Sequence, residues 1–202
     1  MNISGKSILN ISFFVFFLSI IVISCYPEPE FSDIPEIEFV EIGNKVVQKI
    51  DPNTGFVTIA DSVNITITFK DGDGDLGLSG DEGYPEYGEF EVDDNGIILE
   101  DSIPNKFNNN YFVDVFRKEE GVWVPFLFPD IANFNGRFPK LNKLGTETPL
   151  EGDLSYSFAV FYDIGEIKTG DILRFDVQIA DRSKNLSNII TTDSIVVADK
   201  PL

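Results

Sequence analysis

The sequence predicts an all-β domain, an antiparallel immunoglobulin-like β-sandwich, and three observations support this fold class. In residues 62–70 the apolar side chains of Val63, Ile65 and Ile67 alternate with polar ones, which is the period of a half-buried strand. Turn signals such as Asp-Gly and Asn-Gly separate further runs of this kind. No stretch keeps a helical period. A small closed barrel is the alternative arrangement of such strands.

Residues 1–24 have the composition of a secretory signal peptide. Lys6 precedes an apolar run over residues 8–23, and Ser24 and Cys25 follow it. The four residues that end at Cys25 (VISC) resemble the lipobox of bacterial lipoproteins, which predicts that Cys25 becomes the lipidated N-terminus. An uncleaved membrane anchor is the alternative, although the apolar run is near the lower length limit for crossing a bilayer.

Residues 25–35 are predicted to form a tether, because YPEPEFSDIP after the cysteine is rich in proline and acidic residues and favours an extended, solvated chain. Glu28 and Glu30 resemble the acidic export signal of Bacteroidota lipoproteins. This resemblance implies a lipid-anchored protein of the bacterial outer membrane that is exposed at the cell surface.

A single β-sandwich domain is predicted for residues 36–202, and its strands follow in order. An alternating run over residues 36–41 precedes the strand at 62–70. The later predicted strands are 89–92, 97–99, 111–118, 122–128, 154–162, 173–179 and 186–197. Residues 129–151 contain glycine and proline and are predicted to cross between the sheets as a loop.

The strand at 62–70 leads into FKDGDGDLGLSGDE, which has the spacing of a calcium-binding loop. With Asp71 as the first position of an EF-hand-type loop, Asp73 and Asp75 fall at positions three and five, Gly77 at seven and Glu82 at twelve. Position six holds leucine rather than glycine, and the flanking segment is a strand, so the sequence predicts a structural Ca²⁺ site on a β scaffold and not an EF-hand domain.

Two alternatives remain open for these acidic stretches. The loop after Asp71 could be a solvated turn, although its clustered carboxylates would repel one another without a cation. Magnesium fits less well than calcium because it prefers strict octahedral sites that keep several waters.

The turn from Asp181 to Asn185 could complete the metal site if it lies at the same end of the sandwich, or it could be a plain turn with an Asx cap.

The composition excludes several functions. Acidic residues outnumber basic ones 34 to 15, for a formal charge of −19, which argues against nucleic acid as a partner and against electrostatic docking on anionic lipid. The chain contains no histidine, the commonest general base. Cys25 is the only cysteine, so no disulfide can form within the chain.

The order of these segments resembles a group of Bacteroidota surface lipoproteins with an immunoglobulin- or cadherin-like β domain. The stretches that carry the resemblance are DSVNITITFKDGDGDLGL, NNYFVDVFRKEEGVW and GDILRFDVQIADRSKNLSNIITTDSIVV. The resemblance implies an outer-membrane lipoprotein with a possible calcium site at Asp71, Asp73 and Asp75. It implies no enzymatic activity.

Two functions from different classes are compatible with these features. The first is a non-catalytic binding or structural module that contacts a glycan or an envelope protein. The aromatic residues Tyr84, Tyr87, Trp123 and Phe134 could stack on sugars or could belong to the core. The alternative is a polysaccharide hydrolase that uses paired carboxylates. The sequence favours the non-catalytic module, because it has no Gly-x-Ser-x-Gly motif, no histidine and no spare cysteine for acyl transfer, and because a carboxylate pair is almost guaranteed in so acidic a chain and proves little.

Overall fold

The computed structural model describes residues 29–50, 55, 57–99, 103–129, 132–142, 146–163 and 166–198. The predicted signal peptide and Cys25 lie outside the described residues. The chain divides into the units Met1–Glu30 and Phe31–Leu202, and every strand belongs to the second unit. In the part of the chain that the structure describes, no helix is long and apolar enough to cross a membrane.

The described residues form eight β-strands and one short 3₁₀ turn, Lys106–Asn108, but no α-helix. In chain order the strands are β1 (Glu36–Ile50), β2 (Val57–Asp71), β3 (Tyr111–Glu119), β4 (Val122–Phe126), β5 (Leu150–Phe161), β6 (Ile172–Ile179), β7 (Ile190–Thr191) and β8 (Ile195–Val196). The predicted all-β class is confirmed.

The strands form two antiparallel sheets that pack face to face. One sheet has the order β1-β2-β5, and the other has the order β4-β3-β6-β7, with β8 also paired to β6. Immunoglobulin-like sandwiches have strands A, B, E and D in one sheet and C, F and G in the other, so β1, β2 and β5 correspond to A, B and E, and β3, β6 and β7 to C, F and G. Neither sheet closes on itself within the described ranges, so the fold is the predicted sandwich rather than a barrel.

The core lies between the sheets and is supplied mainly by alternate residues of β2 and β6. Val63, Ile65 and Ile67 of β2 are completely buried, as the alternation predicted. The facing residues of β6 are also completely buried: Leu173, Phe175, Val177 and Ile179. Burial of one such side chain contributes about 1.5–3 kcal/mol, so these two strands fix the relative position of the sheets.

The first strand is much longer than the alternation predicted. The pattern predicted a strand over residues 36–41, whereas β1 continues to Ile50 and pairs with β2 along its whole length. The register shifts between Phe39 and Glu41. This irregularity interrupts the period of two on which the prediction depended.

The predicted hairpin around residues 93–96 forms its turn but not its strands. The Asp93 carboxylate accepts a hydrogen bond from the backbone N–H of Ile97 at 2.9 Å, which closes the turn. Beside it, Val92 and Ile98 form an isolated bridge. The turn chemistry was therefore predicted correctly, while the flanking residues lack a neighbouring strand on which to extend.

The buried residue Asp61 ties the β1–β2 hairpin to the end of β8. Its Oδ2 accepts hydrogen bonds from Asn44 Nδ2 at 3.0 Å and from the Ala198 backbone N–H at 2.6 Å. We expect Asp61→Ala to lower the free energy of unfolding by about 2 kcal/mol, because two donors lose a charged acceptor. Urea denaturation measures this change. Asp193→Ala, at an exposed position, is the control, and an equal loss in both variants would contradict the assignment.

Candidate metal centre

The loop after β2 is fixed in place by backbone contacts on two sides. Leu76 forms an isolated antiparallel bridge with Asp181, which lies just after β6. On the other side, the backbone N–H of Leu78 donates to the Phe138 carbonyl at 3.1 Å. The loop therefore joins the end of β2 in one sheet to the end of β6 in the other.

Three carboxylates, Asp71, Asp75 and Asp181, meet at this junction and form what we term the acidic triad. One carboxylate oxygen from each residue lies within 4.8 Å of the other two. Oxygens bound to one calcium ion at about 2.3–2.6 Å lie at most about 5.2 Å apart. A single ion is therefore able to contact all three residues.

The acidic triad includes one carboxylate that has no hydrogen-bond partner. Asp71 is completely buried, and neither of its carboxylate oxygens accepts a hydrogen bond within the described residues. Buried polar groups almost always have a partner, and an unpaired buried carboxylate is strongly destabilising. A cation at the triad would supply the interaction that Asp71 lacks.

The turn after β6 orients the other two carboxylates. Asp181 accepts hydrogen bonds from the backbone N–H of Asn185 at 2.7 Å and from its side-chain Nδ2 at 2.8 Å. Asp75 accepts hydrogen bonds from the backbone N–H of Ser183 at 3.0 Å and from its hydroxyl at 2.9 Å. Such contacts hold ligand carboxylates at metal sites. The turn is thus an Asx-type turn and also part of the triad.

The acidic triad is electrostatically unfavourable in the absence of a cation. Burial, followed by the negative charges of Asp73, Asp75 and Asp181, raises the pKa of Asp71 to about 7, although the nearby Asp75 backbone amide, whose hydrogen bond goes to Asp73, acts in the opposite direction. Burial is also the main cause that raises the pKa of Asp181 to about 6, against the lowering effect of hydrogen bonds from Asn185. A divalent cation would favour the ionised form of both groups.

Of the five predicted ligands, the structure places Asp71 and Asp75 in the triad and Asp73 beside it. The Oδ1 atom of Asp73 accepts a hydrogen bond from the Asp75 backbone N–H at 3.3 Å. Burial and the charge of Asp75 raise the pKa of Asp73. Asp73 therefore contributes negative charge near the triad, while its side chain closes the turn.

Glu82, predicted at the twelfth position, does not join the triad. It forms ion pairs with Lys140, at 3.2 Å, and with Arg182, and it accepts a hydrogen bond from the Ser79 backbone N–H at 2.6 Å. Burial raises the pKa of Glu82, but the Ser79 amide and the two cations together lower it. Glu82 thus holds the loop against Arg182, the neighbour of Asp181.

Gly77, predicted to offer its carbonyl oxygen at position seven, lies where the chain passes another segment closely. Its φ is +95°, and a Cβ atom there would lie 2.2 Å from the Pro139 carbonyl oxygen. Glycine is therefore required at this position by packing and by backbone conformation. Its role as a carbonyl ligand stays a prediction.

The spacing of an EF-hand-type loop correctly predicted that Asp71 and Asp75 are neighbours. It could not predict that Asp181 is the third residue of the acidic triad. The signal that pointed to Asp181 was the D-x-x-x-N turn, which sequence alone could not place in space. The bridge between Leu76 and Asp181 is the contact that brings this turn to the loop.

Comparison of the chain with protein-family models, with curated proteins and with solved structures finds no match. The resemblance to Bacteroidota lipoproteins therefore stays a prediction. Because a fold of this kind serves many unrelated functions, the function has to be argued from the triad and from the surface of the domain.

Most of the aromatic residues considered as a sugar-binding platform are engaged within the domain. Tyr87 is buried, and Phe134 stacks in the aromatic part of the core. Trp123 is covered by the guanidinium group of Arg174, which lies 4.6 Å from the ring centroid. Tyr84 is 50% exposed. The structure thus supports a packing role for Trp123 against Arg174.

The segment that leads into β1, residues 31–35, packs directly beside the loop after β2. The backbone N–H of Gly72 donates to the Ser32 carbonyl at 2.8 Å, and a Cβ atom on Gly72 would lie 2.5 Å from the carbonyl oxygen of Phe31. Pro35 is buried. This lead-in segment was predicted as the last part of the tether, and the structure groups it with the sandwich.

Proposed function

We propose that this protein is a cell-envelope lipoprotein whose β-sandwich is a non-catalytic binding or structural module stabilised by one calcium ion. The main observation in favour of a metal ion is the environment of Asp71, whose carboxylate is completely buried and has no hydrogen-bond partner among the described residues. Asp75 and Asp181 face it at ligand distance. The triad would hold the ion, and the ion would neutralise the repulsion among the three groups.

The donor chemistry favours calcium over other metals. All three groups of the triad offer carboxylate oxygens, which suit hard cations. Zinc prefers nitrogen and sulfur ligands, but the chain has no histidine and its only cysteine is Cys25. Magnesium usually keeps several waters and binds one or two carboxylates, which fits a buried set of three less well.

The position of the triad suggests what the metal contributes. Asp71 ends β2, and Asp181 follows β6, so an ion at the triad would connect the two sheets. In antibody domains a disulfide between strands B and F makes this connection, and β2 and β6 occupy the corresponding places. A chain with one cysteine would obtain an equivalent link from a cation.

The proposed location in the cell envelope is based on the sequence features around Cys25. The predicted signal peptide, the VISC sequence and the acidic, proline-rich stretch after it support lipidation of Cys25 and anchoring in the outer membrane at the cell surface. A glycan or an envelope protein is the proposed partner of the anchored domain. The high negative charge suits a cation-rich setting outside the cytoplasm.

Calorimetric titration of calcium into metal-stripped residues 26–202 tests the ligand assignment. We expect Asp181→Asn to weaken calcium binding by at least about 10–100-fold, because loss of a residue that only orients a ligand already costs that much and Asp181 would contact the ion itself. Glu82→Gln should keep the wild-type affinity to within about threefold, because Glu82 contacts Lys140 and Arg182 rather than the triad. The reverse order of effects would favour the EF-hand-type ligand set, and absence of saturable binding to wild type would refute the calcium site.

Metabolic labelling with an alkyne-bearing fatty acid tests the anchor. We expect the full chain to take up the label and to fractionate with membranes, whereas Cys25→Ser should lose the label because its hydroxyl cannot form the thioether of a lipoprotein. Ser24→Ala keeps the cysteine and is the matched control. Label retained by Cys25→Ser would contradict lipidation at this residue.

A further inference from the structure

β5 forms an open edge of the three-stranded sheet. Among the described residues it pairs only with β2, along its whole length from Leu150 to Phe161. Constant-type immunoglobulin sheets carry a further strand, D, beside strand E, and β5 occupies the position of strand E. No described residue supplies that further strand, so the strand position beside β5 is unfilled within the described part of the chain.

A groove of about 410 Å³ lies along this edge. Phe158 and Ala159 both line it, and consecutive residues of a strand point to opposite faces of the sheet. The groove therefore runs beside the edge of β5 and not above one face. Phe128 and Phe134 also line it, with the Phe134 ring stacked on that of Phe158 at a centroid distance of 4.5 Å, and Phe161 is 42% exposed. Five of the ten residues that line the groove are thus aromatic.

The other half of β5 is acidic. Glu151 and Asp153 are exposed and lie in cross-strand rows that reach β1. One row places Lys70 between Glu36 and Glu151, and the other places Glu38 and Asp153 on either side of an uncharged residue. These rows hold four carboxylates and one ammonium group, so this end of the edge attracts cationic groups.

We propose that β5 accepts an extended segment of a partner protein, which adds to the three-stranded sheet as a fourth strand. Alternate apolar side chains of that segment enter the aromatic groove, and its Lys or Arg residues face Glu151 and Asp153. Strand addition obtains affinity from main-chain hydrogen bonds and specificity from pockets for alternate side chains. The edge of β5 offers both, and this surface is separate from the acidic triad.

The position of the groove fixes the order of residues in the partner. The groove lies beside the C-terminal half of β5, and the acidic residues belong to its N-terminal half. Every strand pair in the described sheets is antiparallel, and antiparallel pairing is slightly more stable per residue. An antiparallel partner strand carries its apolar residues first and its basic residues after them.

Two synthetic peptides of identical composition test this inference. The forward peptide alternates valine or phenylalanine with threonine and then carries lysines, and the reversed peptide has the opposite residue order. Full-length protein in lipid nanodiscs is immobilised for interferometry. We expect the forward peptide to bind at least about tenfold more tightly than the reversed one, the ratio that separates distinct binding modes clearly.

Two variants locate the bound peptide. Asp153→Lys should weaken binding of the forward peptide by roughly tenfold, because it places like charges opposite one another. Asp114→Lys makes the same change at an exposed residue of the other sheet and should leave binding unchanged. Failure of both peptides to bind, equal binding of both, or an unaffected Asp153→Lys variant would overturn the inference. So would a dimer in sedimentation experiments that is lost in Asp153→Lys, since a second copy would then occupy the edge.

Discussion

Removal of calcium is expected to lower the melting temperature of residues 26–202 by roughly 8–16 °C. At a calcium concentration about 1,000 times the dissociation constant, binding adds about 4.1 kcal/mol to the free energy of unfolding. In a domain of this size each kcal/mol shifts the melting temperature by about 2–4 °C. Scanning calorimetry in calcium and in chelator measures the difference.

Asp71→Asn separates a metal ligand from an ordinary core residue. In chelator this variant should melt at the same temperature as the wild type or above it, because it removes the charge of a buried carboxylate that has no hydrogen-bond partner among the described residues. In calcium it should lose the stabilisation. Asp114→Asn, at an exposed position, should keep the full response. Identical melts of the wild type in calcium and in chelator would contradict the metal site.

Gly74→Ala is expected to lower the free energy of unfolding by about 2–4 kcal/mol. Gly74 has a φ of +68°, a conformation that L-residues adopt at a cost, and a Cβ atom there would lie 2.1 Å from the Thr148 carbonyl oxygen. The neighbouring group is backbone and cannot rotate away. Chemical denaturation of the metal-stripped protein measures the loss without a contribution from bound calcium.

Gly96→Ala is the matched control for this change. Gly96 has a similar φ of +79°, but nothing lies within 4 Å of the position that its Cβ atom would occupy. Its variant should lose only about 1 kcal/mol, the part that comes from backbone conformation. The difference between the two variants then measures the close approach at Thr148. Equal losses of unfolding free energy in the two variants would show that the backbone at Thr148 moves to make room for the new Cβ atom. The loop that contains Gly74 would then be held less rigidly than its contacts indicate.

The parts of the fold that were predicted from sequence are the strands whose own residues alternate between apolar and polar side chains. The inward face of β2 and that of β6 both follow from alternation, because each strand has one side buried in the core. The length of β1 was not predicted, since the irregularity between Phe39 and Glu41 interrupts the period. The length of β1 depends on its pairing with β2. The residues of β1 alone therefore do not reveal it.

The candidate site shows the same division between local and distant information. Asp71 ends β2 and Asp75 lies in the loop directly after it, so their spacing along the chain was enough to predict that they are neighbours. Asp181 follows them by more than a hundred residues, and only the sheet topology brings it to the loop. Glu82 had the spacing of a ligand, but nearby cations hold it in ion pairs. Such competition between partners depends on the folded arrangement and leaves no pattern in the sequence.

The contact between Gly72 and Ser32 determines where mechanical load enters the domain. Any pull on the chain from its N-terminal side reaches the sandwich through the lead-in segment, which is hydrogen-bonded to the loop next to Asp71. Beyond this segment the chain continues into β1, which pairs with β2 along its whole length. The lead-in segment and the loop next to Asp71 would therefore carry such a load together, and a cation at the acidic triad would strengthen their junction.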